Sequence, residues 1–188
     1  MTASDLRTQT SDPVVAVLMG SKSDYDVMQH CCLTLQDLGV PYEARVISAH
    51  RSPDLMMDYA AKAESRGLLA IIAGAGAAAH VAGMVAALTF VPVLGVPLSG
   101  TPLVGTDALL SMVQMPAGVP VGTLAIGKPG AINAAILAAE IVAQHRPAVK
   151  EKLRAFRQKR RDEVAAITLP APSASAKINC TTADKRGE

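Results

Sequence analysis

The sequence is poor in aromatic residues. Trp is absent, and the aromatic side chains are Tyr25, Tyr42, Tyr59, Phe90 and Phe156. So few rings leave little material for stacking nucleic-acid bases. A formal net charge of +2 adds no electrostatic pull toward a polyanion. Nucleic acid is therefore not an expected partner. Cysteine is scarce too. Cys31, Cys32 and Cys180 are odd in number, and adjacent cysteines rarely bond to each other, so no disulfide framework is expected. A reducing, cytoplasmic setting is the natural reading. Residues 1–13 are polar, with no apolar run behind a basic head, which does not read as a secretory leader.

Charge is missing from one long region. Between Arg66 and Lys128 the only formally charged residue is Asp107. A membrane span over 68–98 would need about 20 mostly apolar residues in one run. Here Gly74, Gly76, His80, Gly83, Pro92, Gly95 and Pro97 interrupt it as strand ends and turns do. Buried strands alternating with small-residue helices fit better, and no membrane association is expected. So much uncharged surface on a small domain also predicts cover by another subunit.

Half of the residues are hydrophobic, enough for a sizeable core in one domain. The run 14–19 (VVAVLM) is apolar, rich in Val and ends at Gly20, as a strand buried on both faces does. Ser23 and Asp26 are spaced as a capping box. Met28, Cys31, Cys32, Leu35 and Leu38 then recur at helical spacing until Gly39 and Pro41. Further strands are expected at 42–48, 69–73, 91–96 and 121–126. Helices are expected from Ser52–Pro53 to Gly67, at 80–89, at 106–112, after Gly130 and at 148–166. This alternation predicts an α/β fold, doubly wound about a central parallel sheet, with a C-terminal helical extension. One α/β domain is expected over 14–167, with a flexible segment at 1–13. The tail 168–188, rich in Pro, Ser, Ala and Thr, is expected to be disordered. The basic residues from Lys150 to Arg161 are interspersed with acids and read as a solvated helix face.

Ligands of such folds bind outside the carboxyl ends of the strands. That directs attention to 20–24, 48–51, 74–80 and 97–105. GSKSD at 20–24 places Ser21 and Ser23 hydroxyls beside a helix start that favours an anion. Asp24 there fits ribose hydroxyls better than a phosphate. SAHRSP at 48–53 puts His50 beside Ser48, Ala49 and Arg51. Imidazole can both give and take a proton near neutral pH, and a guanidinium suits phosphate or carboxylate. GAGAAAH at 74–80 brings small residues, Gly74 and Gly76 among them, close to His80. There is no P-loop, GxGxxG fingerprint, CxxC, HxxxH pair or GxSxG elbow. Neither a metal nor a cofactor is expected.

Taken together, the motifs MGSKSD (19–24), SAHRSP (48–53), IIAGAGAAAH (71–80), PVLGVP (92–97) and SMVQMPAGVPVGTLAIG (111–127) carry a resemblance. The sequence resembles the class I, bacterial-type 5-(carboxyamino)imidazole ribonucleotide mutase family over about residues 14–161. The resemblance implies a three-layer sandwich assembled as a homo-octamer with sites at subunit junctions. It implies His50 as general acid/base and Ser21, Asp24 and Arg51 as positions binding the phosphorylated nucleotide. Ser23, Ser48, Ala49 and the loop with Gly74, Gly76 and His80 would line the same pocket. The implied reaction moves a carboxyl group on that nucleotide, in purine biosynthesis. A transient contact with the synthetase that makes the substrate is a further candidate interaction. The rival of the same scaffold is the animal-type carboxylase using free carbon dioxide, whose motif resembles SAHK; a nucleotide-binding module without catalysis is the rival of another class. The chain departs from the family at Ala77, where Gly is common, at Val81–Ala82, where Leu-Pro is usual, and over 99–105.

Overall fold

The computed structural model describes residues 12–169. The part of the expected flexible segment at 1–11 and the expected tail beyond 169 lie outside the described residues. Five parallel strands form one sheet in the order β2-β1-β3-β4-β5. They are β1 (Val15–Met19), β2 (Tyr42–Val46), β3 (Ala70–Gly76), β4 (Val93–Leu98) and β5 (Gly122–Thr123). The helices are α1 (Tyr25–Asp37), α2 (Pro53–Ala61), α3 (Val81–Ala86), α4 (Thr106–Val113), α5 (Lys128–Ala143) and α6 (Pro147–Ala165).

The strand period of two sorts β1 between two cores. Val15, Val17 and Met19 pack with Met28, Cys31 and Leu35 of α1, with the alanines of α5, and with Val149 and Leu153 of α6. Ala16 and Leu18 face the other way, onto Met56 and Tyr59 of α2, Val81 and Val85 of α3, and Met112 of α4. This is the expected three-layer, doubly wound sandwich. β3 is paired on both sides, by β1 and β4, and its residues Ala70–Ala75 are all buried. That explains a near-continuous apolar run without a membrane. No helix among the described residues is long and apolar enough to cross one.

Several boundaries differ from expectation. The capping box belongs to Ser21 and Asp24, two residues earlier than the Ser23–Asp26 pair, because a short 3-10 turn (Lys22–Asp24) precedes α1. β2 stops at Val46, and Ile47 donates to the Met19 carbonyl at 2.9 Å as the chain turns into its loop. β3 runs on to Gly76, so α3 is left with only Val81–Ala86. β5 shrinks to two residues at the sheet edge. The long helix begins before Gly130, at Lys128, with Pro129 in its first turn. Gly130 lies inside it because a Cβ there would run into the Ala125 carbonyl.

Candidate active site

The carboxyl ends of β1, β2, β3 and β4 open onto a cleft of about 480 Å³. Each strand contributes through the loop that follows it. After β1, Ser21 and Asp24 cap each other. The Asp24 carboxylate accepts the Ser21 N–H at 2.8 Å, and the Ser21 hydroxyl accepts the Ser23 N–H at 3.4 Å. The Ser23 hydroxyl donates to Ser21 Oγ at 3.0 Å. Burial pushes the Asp24 carboxyl above its ordinary value. The N–H groups of Ser21 and Gly20 and the charge of Arg51 pull the other way without cancelling it.

After β2, Ser52 closes the loop on itself. Its hydroxyl accepts the Ser48 N–H at 3.2 Å and donates to the Ser48 carbonyl at 3.0 Å. That turn throws His50 and Arg51 outward. Arg51 spans two loops: Nε donates to Ser48 Oγ at 3.2 Å and a terminal nitrogen donates to the Gly20 carbonyl at 2.8 Å. Its remaining N–H groups are left for an anionic ligand, and the fork shape of guanidinium suits phosphate.

His50 lines the cleft and meets His80, which does not. His50 Nε2 lies 2.8 Å from His80 Nδ1, and the rings stand edge to face with centroids 4.9 Å apart. A bond between two imidazole nitrogens holds one proton. When that proton sits on His50 Nε2, the other His50 nitrogen is free as a base. When it sits on His80 Nδ1, the other His50 nitrogen can carry a proton and act as an acid. One side chain can therefore serve in both senses.

The sequence-derived residues do not all reach the cleft. Ser21, Ser23, Asp24, Ser48, His50, Arg51 and Gly76 line it. His80 stands behind His50 and touches the site through that ring. Ala49 is buried with α2 in the core. Gly74 lies one layer below: a Cβ there would sit 2.5 Å from the Met28 sulfur, so it keeps α1 close to the sheet. Sequence reasoning named neither Gly100 nor Thr101, which also line the cleft. The stretch 97–105 was within the searched rim, but nothing in its residue types singled them out. Among the described residues no group of three or more His, Cys, Asp or Glu could hold a metal ion.

The family model described as AIR carboxylase matches residues 14–163. The chain belongs to the AIR carboxylase family. The match covers every strand and all the cleft residues. Among curated members, the N5-carboxyaminoimidazole ribonucleotide mutase of Pseudomonas aeruginosa is 56% identical over 80% of this chain and 93% of its own. That of Escherichia coli K12 is 51% identical over 86% and 95%. The bifunctional purine synthesis protein purC/E of Dictyostelium discoideum is 50% identical over 92% of this chain, which spans only 17% of that larger protein. A crystal structure of Treponema denticola PurE superposes with a TM-score of 0.73 at 23% identity, covering 81% of this chain and 94% of that one. At that identity it speaks for the AIR carboxylase fold alone.

Proposed function

We propose that this enzyme is an isomerase of purine biosynthesis, converting N5-carboxyaminoimidazole ribonucleotide to 4-carboxy-5-aminoimidazole ribonucleotide. The observation that carries the reading is the His50–His80 pair at the mouth of a cleft walled by Arg51 and the capped serine loop. Relatives named for this mutase reaction, matched over nearly their whole length, support the substrate. In the first half, the C–N bond of the carbamate breaks, carbon dioxide leaves, and the electron pair on nitrogen takes a proton from His50. In the second half, ring carbon 4 attacks the same carbon dioxide and its proton returns to His50. Protons and electrons balance with no cofactor or metal. Keeping carbon dioxide beside the ring makes capture effectively unimolecular, worth about 7–11 kcal/mol of barrier. Arg51 holds the phosphate, and Asp24 faces the ribose hydroxyls.

The family description also fits a carboxylase that draws carbon dioxide from solution. The two are separated by running the forward reaction briefly in labelled bicarbonate with carbonic anhydrase present. A mutase gives product with little label at early times. Label entering in proportion to its share of dissolved carbon dioxide from the first turnovers would overturn the mutase reading.

The uncharged stretch supports homo-oligomerisation, with eight subunits as the assembly implied by family resemblance. Phe90 is 95% exposed beside an apolar groove of about 760 Å³ that includes Val91, Pro92, Val119 and Pro120. Such surface is costly to leave in water. Light scattering reads the assembly directly, and a monodisperse monomer at micromolar concentration sinks it. A cytoplasmic location and a transient contact with the synthetase that supplies the unstable substrate complete the proposal. Co-sedimentation with that synthetase tests the contact, and its absence at micromolar concentrations of both argues against it.

A further inference from the structure

Gly100 and Thr101 form a part of the cleft wall to which the reaction above gives no task. They come from the loop between β4 and α4, separate from the loops that carry His50, Arg51 and the serines. This loop is poorly packed. Leu103 is 61% exposed and Val104 70% exposed, and Val104 adopts a left-handed φ of +52°, uncommon for a β-branched residue. One side-chain bond ties the loop to the helix that follows. The Thr101 hydroxyl donates to Asp107 Oδ2 at 2.8 Å, while the Leu103 N–H donates to the same Thr101 oxygen at 3.2 Å. Asp107 is the lone charge between Arg66 and Lys128. Its second oxygen, Oδ1, is buried and makes no hydrogen bond. A carboxylate in that state is expensive, and a smaller neutral residue would avoid the cost. What the carboxylate does visibly is fix Thr101, in the first turn of α4 where the helix dipole favours its charge.

We propose that Thr101 and Asp107 are positioning residues whose hydrogen bond holds this wall against the cleft, so that carbon dioxide released from the carbamate stays until ring carbon 4 captures it. The inference rests on the mutase reading. Neither side chain takes a proton or forms a bond in the reaction. Their loss opens an escape path: the carbamate still breaks, the amine is still protonated by His50, and carbon dioxide diffuses away. The decarboxylated nucleotide then waits for carbon dioxide from solution.

The test uses the full chain and the labelled-bicarbonate reaction, comparing wild type with Thr101→Val and Thr101→Ser. Val keeps the shape and loses the hydroxyl; Ser keeps the hydroxyl. Early label in product is expected to rise about tenfold in Thr101→Val, the scale of one lost hydrogen bond to a charged group. Free decarboxylated nucleotide should accumulate with it, and Thr101→Ser should behave as wild type. A merely structural role would lower melting temperature and turnover without admitting label. Asp107→Ala removes the acceptor at the other end of the same bond and gives an independent arm if Thr101→Val does not fold. Label kept out of Thr101→Val, or of Asp107→Ala where that arm replaces it, as fully as from wild type overturns the proposal. So does equal leakage in the Val and Ser variants. Label entering wild type from the first turnovers overturns the mutase reading itself, and this proposal with it.

Discussion

One strand–loop–helix unit carries two polar clusters of opposite character. At the amino end of β2, Glu43 is 1% exposed and both its oxygens face a partner, Oε2 meeting Arg45 by charge without a hydrogen bond. Tyr59 of α2 donates to its Oε1 at 2.6 Å, Arg66 pairs with the same oxygen, and Arg45 lies 3.0 Å from the other. Both guanidiniums also stand over the Tyr59 ring, at 5.1 and 5.4 Å from its centroid. Beyond the carboxyl end of the same strand, His50 and Arg51 are exposed and have bonding capacity to spare. A closed set of charges locks β2 to α2. An open set, mounted on the loop between them, is left to meet a ligand. The fold thus keeps the charges that hold it together apart from charges left open to solvent.

The largest expected effect falls on the open cluster. His50→Asn keeps a polar side chain but cannot carry the proton, so turnover should drop about 10²–10⁴-fold. Affinity for the product nucleotide, measured by calorimetry, should stay within about tenfold of wild type, since binding rests on Arg51 and the serine loop. Retention of a tenth of the wild-type rate would break the assignment of His50.

Next comes the closed cluster, where the effect should appear in stability. Glu43→Gln leaves two guanidiniums, each about 30% exposed, without their counter-charge, which should cost about 1–3 kcal/mol in urea unfolding. Burial alone pushes the Glu43 carboxyl up, but Tyr59, Arg66 and Arg45 outweigh it and hold it below its ordinary value. The ionised carboxylate therefore stabilises the fold fully above the ordinary carboxylate range. That contribution fades as pH falls through the lowered folded value. Glu43→Gln should accordingly lose less stability than wild type on acidification below about pH 5. Parallel stability curves for the two proteins would mean that Glu43 is not the group titrating.

Separation along the chain decides which of the two clusters the sequence reveals. The open cluster was legible because its residues sit in short loops at the carboxyl ends of the strands, where ligands of such folds bind. The layered fold was legible because apolar strand runs such as 14–19 alternate along the chain with helical spacings such as Met28, Cys31, Cys32 and Leu35. The closed cluster escaped notice because Glu43, Arg45, Tyr59 and Arg66 are spread over 24 positions, and only the sheet and helix bring them together. Long-range register likewise hid the thinness of β5 and the role of Gly74, whose reason is Met28 on another element. Ser21 and Asp24 were named for a ligand, while their mutual capping was missed because Ser23 and Asp26 carry the same spacing.

The smallest expected effect comes from backbone strain in the cleft loops. Two cleft loops hold a non-glycine residue at positive φ, Ala77 at +55° and Val104 at +52°, whereas Glu43, Arg45, Tyr59 and Arg66 have no such angle. A left-handed residue with a Cβ costs about 1–2 kcal/mol relative to glycine. Replacing Ala77 by Gly also frees the unfolded chain, which takes back about 0.4–1 kcal/mol. The net expectation for Ala77→Gly is a gain of about 0.5 kcal/mol, seen as a higher urea midpoint at unchanged slope. Ala77 lines the cleft, so the added backbone freedom must be lost again when substrate binds. That should raise KM about threefold with kcat nearly unchanged, an ordering cost on the scale of one residue's lost freedom. A variant that is less stable by more than about 1 kcal/mol would show that Ala77 is not strained in the folded chain. A variant more stable with KM unchanged would show that the strain has no part in binding. The open cluster would then differ from the closed one in exposure and bonding, and not in stored conformational energy.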